Sequence, residues 1–333
     1  MSQKIRWGIL GCGKIAAKFA ADLRLVKDAV LHAIASRDEN RANDFAKTYG
    51  IERVFTNYKE LAMSDVDVIY IATPHGFHYE HTMLCLNHKK AVLCEKAFAL
   101  NTKQAREMID LARTNQVFLM EAFWTKFLPQ YKKIIEIIDS GVLGELRWLQ
   151  ADFGFYAPEP LVQRLYDPLL GGGSLLDVGI YPVFMAQSLF GKPEDIQAMM
   201  IPYPSGVDEQ CAMTLRHREG VLASLSSSFA ADTPVQATIA GTAGRIEIRD
   251  RFHNASSRIF LGIGKEELKE IEVYREDGYG YQFEAQHVTD CLLKNITESP
   301  VMTHQDTLDL METLDAIRNV CGIRYGVDNT IRP

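Results

Sequence analysis

The sequence has no surplus of positive charge, no clustered cysteines and no low-complexity stretch. Lys and Arg number 36 against 43 Asp and Glu, for a net charge of −7. That sign does not suit nucleic acid or an anionic membrane as the main partner, so a nucleic-acid-binding domain fits poorly. The six cysteines (Cys12, Cys85, Cys94, Cys211, Cys291 and Cys321) are scattered, with no C-x-x-C pair. Such usage suits reduced thiols in a cytoplasm better than disulfides or a zinc site, and no metal is expected. No apolar run approaches bilayer length, and the polar start Met1-Ser2-Gln3-Lys4 does not resemble a signal peptide. A cytoplasmic protein is therefore expected, in which the sequons at Asn254 and Asn295 are chance matches.

What is present is an ordinary globular composition, 47% hydrophobic and 24% charged over 333 residues. That length allows two domains with substantial cores. The organising stretch is the start. Ile5, Ile9 and Leu10 suit a strand, Gly11 and Gly13 break it, and Ala16, Phe19, Ala20 and Leu23 recur at helical spacing. Strand, glycine turn and helix with G-x-G-x-x-A form a dinucleotide-binding motif. Gly11 permits the turn, Gly13 leaves room for pyrophosphate, and Ala16 lets helix and strand pack closely. The helix start at Lys14 and Ile15 offers free N–H groups to phosphate.

Alternation continues to about residue 122, with strands expected over 30–36, 66–72, 91–94 and 117–121. Helices are expected over 39–49, 77–86 and 102–113. This alternation predicts a doubly wound parallel sheet. After a helix at 128–140, strands dominate (146–156, 211–216, 221–229, 235–240, 245–249), and helices at 282–294 and 305–319 close the chain. Partial alternation of apolar and polar residues in these strands points to antiparallel pairing. The expected fold class is therefore α/β. A Rossmann domain over 1–122 is followed by an α+β domain over 123–333 with a large, mostly antiparallel, open-faced sheet. The C-terminal helix is free to pack back on the first domain. An uncovered apolar face predicts a homodimer through that sheet, with Val221, Ala223, Leu225, Val235, Ala237 and Ile239 on one face or the other.

Four constellations carry chemistry. Strand two ends at Ser36-Arg37, with Arg41 one turn into the next helix. Arginine at this place accommodates a 2′-phosphate, favouring NADP over NAD; the alternative is a solvated arginine. Asp38 comes one residue late and suits a helix cap. Strand four ends Thr73-Pro74-His75-Gly76-Phe77-His78, at the edge where open α/β sheets bind ligands. His78 is as well suited to nicotinamide ribose or substrate as to a plain loop position. Strand five ends Glu95-Lys96, where burial would lower a lysine's pKa towards useful proton transfer; the alternative is a surface pair. Finally, Gly171-Gly172-Gly173 reads as a loop bending around something. Ser174 reads as a helix N-cap, and Asp177 and Tyr181, four apart, as one helix face that could bind a hydroxyl. A capping box of Ser174 with Asp177 is the other reading.

In this order, the glycine motif, Ala35-Ser36-Arg37, Thr73-Pro74-His75-x-x-His78, Glu95-Lys96 and Asp177-x-Gly179-x-Tyr181 resemble the glucose–fructose oxidoreductase / inositol dehydrogenase family. Leu119-Met-Glu-Ala-Phe-Trp-Thr125 and Glu284-Ala-x-His-Val288 extend the resemblance over nearly the whole chain. It implies Lys96 as the main proton-transfer residue, supported by Asp177 and Tyr181, and Glu95 beside the cofactor. It implies Trp124, Phe127 and Phe153 as walls of a substrate pocket, and His78 by the nicotinamide ribose. The family's usual proline after the lysine is Ala97 here, which leaves the following backbone less constrained. The function implied is hydride transfer between NADP and a secondary alcohol of a sugar or cyclic trans-diol. A non-catalytic NADP-sensing protein on the same fold is the rival, and loss of Lys96, Asp177 or Tyr181 would have favoured it.

Overall fold

The computed structural model describes residues 4–330. It divides into two compact units, one of residues 1–127 with 276–308 and one of 128–275 with 309–333. The first unit thus runs past the expected limit at 122 and also takes a segment from near the C-terminus.

The first unit holds a six-stranded, all-parallel sheet of β1 (Ile5–Leu10), β2 (Ala29–Ala35), β3 (Arg53–Phe55), β4 (Val68–Ile71), β5 (Ala91–Glu95) and β6 (Leu119–Ala122). Their order is β3-β2-β1-β4-β5-β6, so the chain reverses direction between β1 and β4 and the strands' carboxyl ends share one edge. The intervening helices are α1 (Lys14–Leu23), α2 (Glu39–Tyr49), α3 (Tyr58–Met63), α4 (His78–Asn87) and α5 (Thr102–Asn115). β4 and β5 are buried along their full length, as expected of strands covered on both faces. β3 and α3, three and six residues long, are too short to give a period in sequence.

The segment from 276 belongs here because Asp22, buried on α1, accepts from the backbone N–H groups of Tyr279 and Tyr281 at 2.9 Å. That anchors the start of a later helix, Tyr281–Leu293, and Trp7 Nε1 donates to its Thr289 hydroxyl at 3.3 Å.

The second unit contains α6 (Pro129–Asp139), β7 (Leu146–Gly154), α7 (Glu159–Leu165), a π-helical turn Leu175–Gly179 and α8 (Ile180–Phe190). Then come β8 (Asp195–Pro202), β9 (Asp208–Arg216), β10 (Leu222–Ser228), β11 (Ala237–Gly241), β12 (Gly244–Arg249), β13 (Arg258–Ile263) and β14 (Lys269–Ile271). The chain's last two helices are α9, the Tyr281–Leu293 helix of the first unit, and α10 (His304–Cys321), whose residues from 309 on belong to the second. The eight-stranded sheet runs β14-β13-β12-β11-β7-β10-β9-β8 and is antiparallel except where β7 pairs with β10. β8, β13 and β14 were not expected. β8 alternates half-buried and exposed residues: Ile196, Ala198 and Met200 lie on one face, and the mixed set Asp195, Gln197, Met199 and Ile201 on the other.

Val221, Ala223, Leu225, Val235, Ala237 and Ile239 are all buried. The exposed apolar residues of this sheet are instead Trp148, Leu222, Met199 and Ile201. Trp148 and Leu222 stand opposite each other, and strand alternation sets the other two on the same face.

One stretch, Pro168–Phe190, corrects the expectation of no bilayer-length apolar segment. It is long and apolar enough, but 83% of its most apolar window is buried inside the unit, the condition of a core helix.

Candidate active site

In the first unit the expected motif takes the expected form. Gly11 has φ +100°, and a Cβ there would press on the Ala72 carbonyl at 3.0 Å. Beside Gly13 a Cβ would meet nothing within 4 Å. α1 begins without a side-chain cap and without an acidic residue in its first turn. Uncapped N–H groups at Lys14 and Ile15, with open space before them, fit a dinucleotide pyrophosphate.

Asp38 accepts from Arg41 N at 3.1 Å and caps α2, which leaves Ser36 and Arg37 to face the strand end. The Ser36 hydroxyl accepts from Asp38 N at 3.2 Å. Arg41 donates to the Cys12 carbonyl at 3.3 Å, inside the glycine turn, while the exposed Arg37 guanidinium stands 5.7 Å from the Phe77 ring centre. Two cations therefore stand beside the end of β2.

After β4, Thr73 and Pro74 are half-buried and His75 is buried. His78 is wholly buried, and its ring nitrogens lie 2.8 Å from the Ala97 carbonyl and 2.7 Å from the Thr73 carbonyl. Burial, helped by the charge of Lys96, lowers its pKa to about 4, and the neutral ring, with a single N–H, donates to one of these two carbonyls at a time. His78 thus stands between the Thr73 segment and the residue after Lys96.

Lys96 is the one half-buried residue in the otherwise buried run 91–100. The Lys96–Ala97 peptide is cis. Lys96 N donates to Glu95 Oε2 at 3.2 Å, and the Tyr70 hydroxyl donates to Glu95 Oε1. Two further carboxyls lie behind them. Glu121 accepts from Phe98 N at 3.3 Å, and burial raises it to about 8. Glu284 is wholly buried with no hydrogen-bond partner at either oxygen, and burial followed by the nearby Glu95 raises it well above the usual range.

A carboxyl with a raised folded-state pKa stabilises the fold fully below its unfolded value and loses that contribution as pH rises. For Glu121 the window runs from 4.5 to about 8. The urea midpoint of the wild type is therefore expected to fall between pH 5 and pH 8. Glu121→Gln should flatten that fall, by on the order of a few kcal/mol, at about 1.4 kcal/mol per tenfold change in proton affinity. Equal pH slopes for the two proteins would contradict the assignment.

Trp124 stacks on Tyr281 at 4.6 Å and Phe127 lies 5.0 Å from the His287 ring, both within the first unit. Phe153 belongs to the second unit. There it stacks on His253 at 4.4 Å and lies 5.6 Å from Tyr181, with His253 4.6 Å from Tyr181. His253 follows no motif and was not expected; only the folded loop after β12 brings it to this ring cluster.

Asp177 and Tyr181 do not share an ordinary α-helical face. Asp177 lies in the π-turn and Tyr181 in the first turn of α8. With i→i+5 bonding, four residues fall short of one turn. Asp177 Oδ2 lies 3.6 Å from Arg164 in an ion pair. Ser174 makes no cap and no capping box with Asp177; its hydroxyl donates to Asp208 at 2.7 Å. Among the described residues no cluster of three or more His, Cys, Asp or Glu could hold a metal.

Residues 5–123 match the family model described as oxidoreductase family, NAD-binding Rossmann fold, and residues 131–247 match the GFO/IDH/MocA C-terminal domain. The chain is 36% identical over 330 residues to a trans-1,2-dihydrobenzene-1,2-diol dehydrogenase of Xenopus laevis, covering 96% of this chain and 99% of that one. A 3-ketoreductase from Actinomadura kijaniata, solved with NADP and TDP-benzene, superposes with a TM-score of 0.84 at 27% identity, over 96% of this chain and 98% of its own. An aldose-aldose oxidoreductase from Caulobacter crescentus, solved with glycerol, shares the fold with a TM-score of 0.88 at 23% identity, over 96% and 98% of the two chains.

Proposed function

The chain belongs to the GFO/IDH/MocA oxidoreductase family, and on that premise we propose that it is an NADP-dependent dehydrogenase acting on a secondary alcohol of a sugar or cyclic trans-diol. One observation carries the proposal. Gly11, Ser36, Thr73 and Lys96 follow the ends of β1, β2, β4 and β5 along a single edge of the parallel sheet. Ligands bind at that edge in open α/β sheets.

A nicotinamide dinucleotide supplies the hydride chemistry when bound there. The protein's own residues bind, orient and move the proton. Gly13, Lys14 and Ile15 hold the pyrophosphate, while Arg37 and Arg41, beside Ser36, neutralise the 2′-phosphate that distinguishes NADP. Thr73, Pro74 and His75 border the nicotinamide ribose, with His78 holding them from behind. Glu95 fixes the main chain at Lys96. Lys96 Nζ, as the neutral amine, takes the hydroxyl proton on oxidation and, as the ammonium, returns it on reduction; the ammonium that forms as the proton moves favours the developing alkoxide. Tyr181 and Asp177 orient the hydroxyl, and Trp124, Phe127 and Phe153 wall the substrate. Lys96, Asp177 and Tyr181 are all present, which favours an enzyme over a sensor.

A screen of xylose, glucose, trans-dihydrodiols and dicarbonyls with NADP and NAD, followed at the cofactor absorbance, tests the reading. Turnover of at least one substrate, faster with NADP, is expected. A folded protein that binds NADP and turns over none of them would instead be the sensor.

We further propose a homodimer through the outer face of the second sheet, on which Trp148, Leu222, Met199 and Ile201 are exposed. They form two pairs, Trp148 with Leu222 and Met199 with Ile201, on a face that also carries Ser224, Thr214 and Gln197 between them; a second copy seated there would take both pairs out of water. Light scattering should give twice the chain mass at micromolar concentration, and Met199→Glu with Leu222→Glu should halve it. A wild-type monomer would refute the proposal.

A further inference from the structure

The glycine run at 171–173 bends around Asp208, a residue outside every motif of the sequence. Asp208, the first residue of β9, is wholly buried. Its Oδ2 accepts from the Leu175 backbone N–H at 2.7 Å and from the Ser174 hydroxyl at 2.7 Å. The Ser174 hydroxyl also pairs with that of Ser227, on β10, at 2.8 Å. Oδ1 has no hydrogen-bond partner and faces Gly173, where a Cβ would collide with it. Gly171 and Gly173 both have positive φ, the conformation in which glycine is favoured. Tyr325 completes the wrap by donating to the Gly172 carbonyl at 2.6 Å.

We propose that Asp208 is a positioning residue for the reaction, a carboxylate that fixes the π-turn carrying Asp177 and thereby the placement of Tyr181 on α8. The proposal rests on the roles given to Asp177 and Tyr181 above. A helix start leaves N–H groups without partners, and an acidic group there satisfies them and complements the helix dipole. Here that group comes from a strand about thirty residues later, so the cap also ties the turn to the sheet. Burial raises the Asp208 carboxyl to about 6, against the opposing effect of the Ser174 and Leu175 bonds. It is therefore a charged acceptor near neutral pH. The π-turn packs on β7, β9 and β10, so its register depends on that one carboxylate meeting two donors in succession.

The test combines backbone amide exchange with turnover, on the full chain, for Asp208→Asn and for the milder Ser174→Ala. Exchange across 173–181 should rise about tenfold or more in Asp208→Asn, and less in Ser174→Ala, with the first unit unchanged. Turnover should fall by about tenfold while NADP affinity holds within about twofold. In a Tyr181→Phe background, Asp208→Asn should cost clearly less turnover than in the wild type, because part of its effect passes through Tyr181 and only the part through Asp177 remains. Uniformly raised exchange, unchanged turnover, or an undiminished loss in the Tyr181→Phe background would each overturn the proposal. If Asp208→Asn does not fold, Ser174→Ala decides by the same criteria. A Tyr181→Phe enzyme of wild-type rate would instead sink the role given to Tyr181. Local exchange with Asp177→Asn as background would then decide Asp208.

Discussion

Lys96→Met is expected to leave NADP affinity within a few fold and to lower turnover by roughly 10²–10⁴, the usual worth of general acid–base catalysis. Methionine keeps most of the side-chain length and apolar contact but carries neither charge nor proton. Lys96 is half-buried at the end of a buried strand, with its main chain held by Glu95 and the following carbonyl by His78. The substitution therefore removes the ammonium without disturbing those bonds. Asp177→Asn and Tyr181→Phe should each lower turnover too, but not add fully to the lysine's effect if the three act as a unit. Steady-state rates beside cofactor titrations decide it. A Lys96→Met enzyme near wild-type rate would make the lysine structural and leave Tyr181 as the next proton-transfer candidate.

The second large effect concerns cofactor choice. Arg37→Ala should weaken NADP binding by roughly ten- to a hundredfold while leaving NAD nearly untouched, since a charge-assisted bond contributes about 1.5–3 kcal/mol. The Arg37 guanidinium is exposed and lies over the Phe77 ring, where a phosphate can reach it. Arg41 already donates to the Cys12 carbonyl, so Arg41→Ala would loosen the glycine turn and touch both cofactors. Fluorescence titrations with NADPH and NADH separate the two cases. Equal weakening by Arg37→Ala, or a wild type preferring NADH, would contradict the assignment.

The first sheet was legible because its signals are local. Gly11, Gly13 and Ala16 sit within six residues of one another, and Asp38 and Arg41 within one helical turn. The all-apolar β4, and β5 apolar up to Glu95, read as covered strands. The rest of the site depends on partners far away in the chain. No pattern around Asp208 links it to the glycine run, and a Ser-x-x-Asp spacing suggested a capping box that the longer-range carboxylate displaces. The two histidines after β4 looked alike in sequence. Only the Ala97 carbonyl, nineteen residues later, draws His78 into the interior. Nothing in the sequence around Glu121 and Glu284 marks them as buried; packing alone takes both out of water. In the second sheet, alternation separated inner from outer residues where the two faces differ, and was weak at β8, where Met199 and Ile201 put apolar residues on the exposed face as well.

The most direct measurement follows hydrogen from substrate to cofactor. The fastest secondary alcohol of the screen, deuterated at the carbinol carbon, would be turned over with NADP and the reduced cofactor analysed by mass spectrometry. The account predicts one deuterium in the nicotinamide ring and a slower rate than with the unlabelled alcohol. Oxidised product with no label in the cofactor would contradict it.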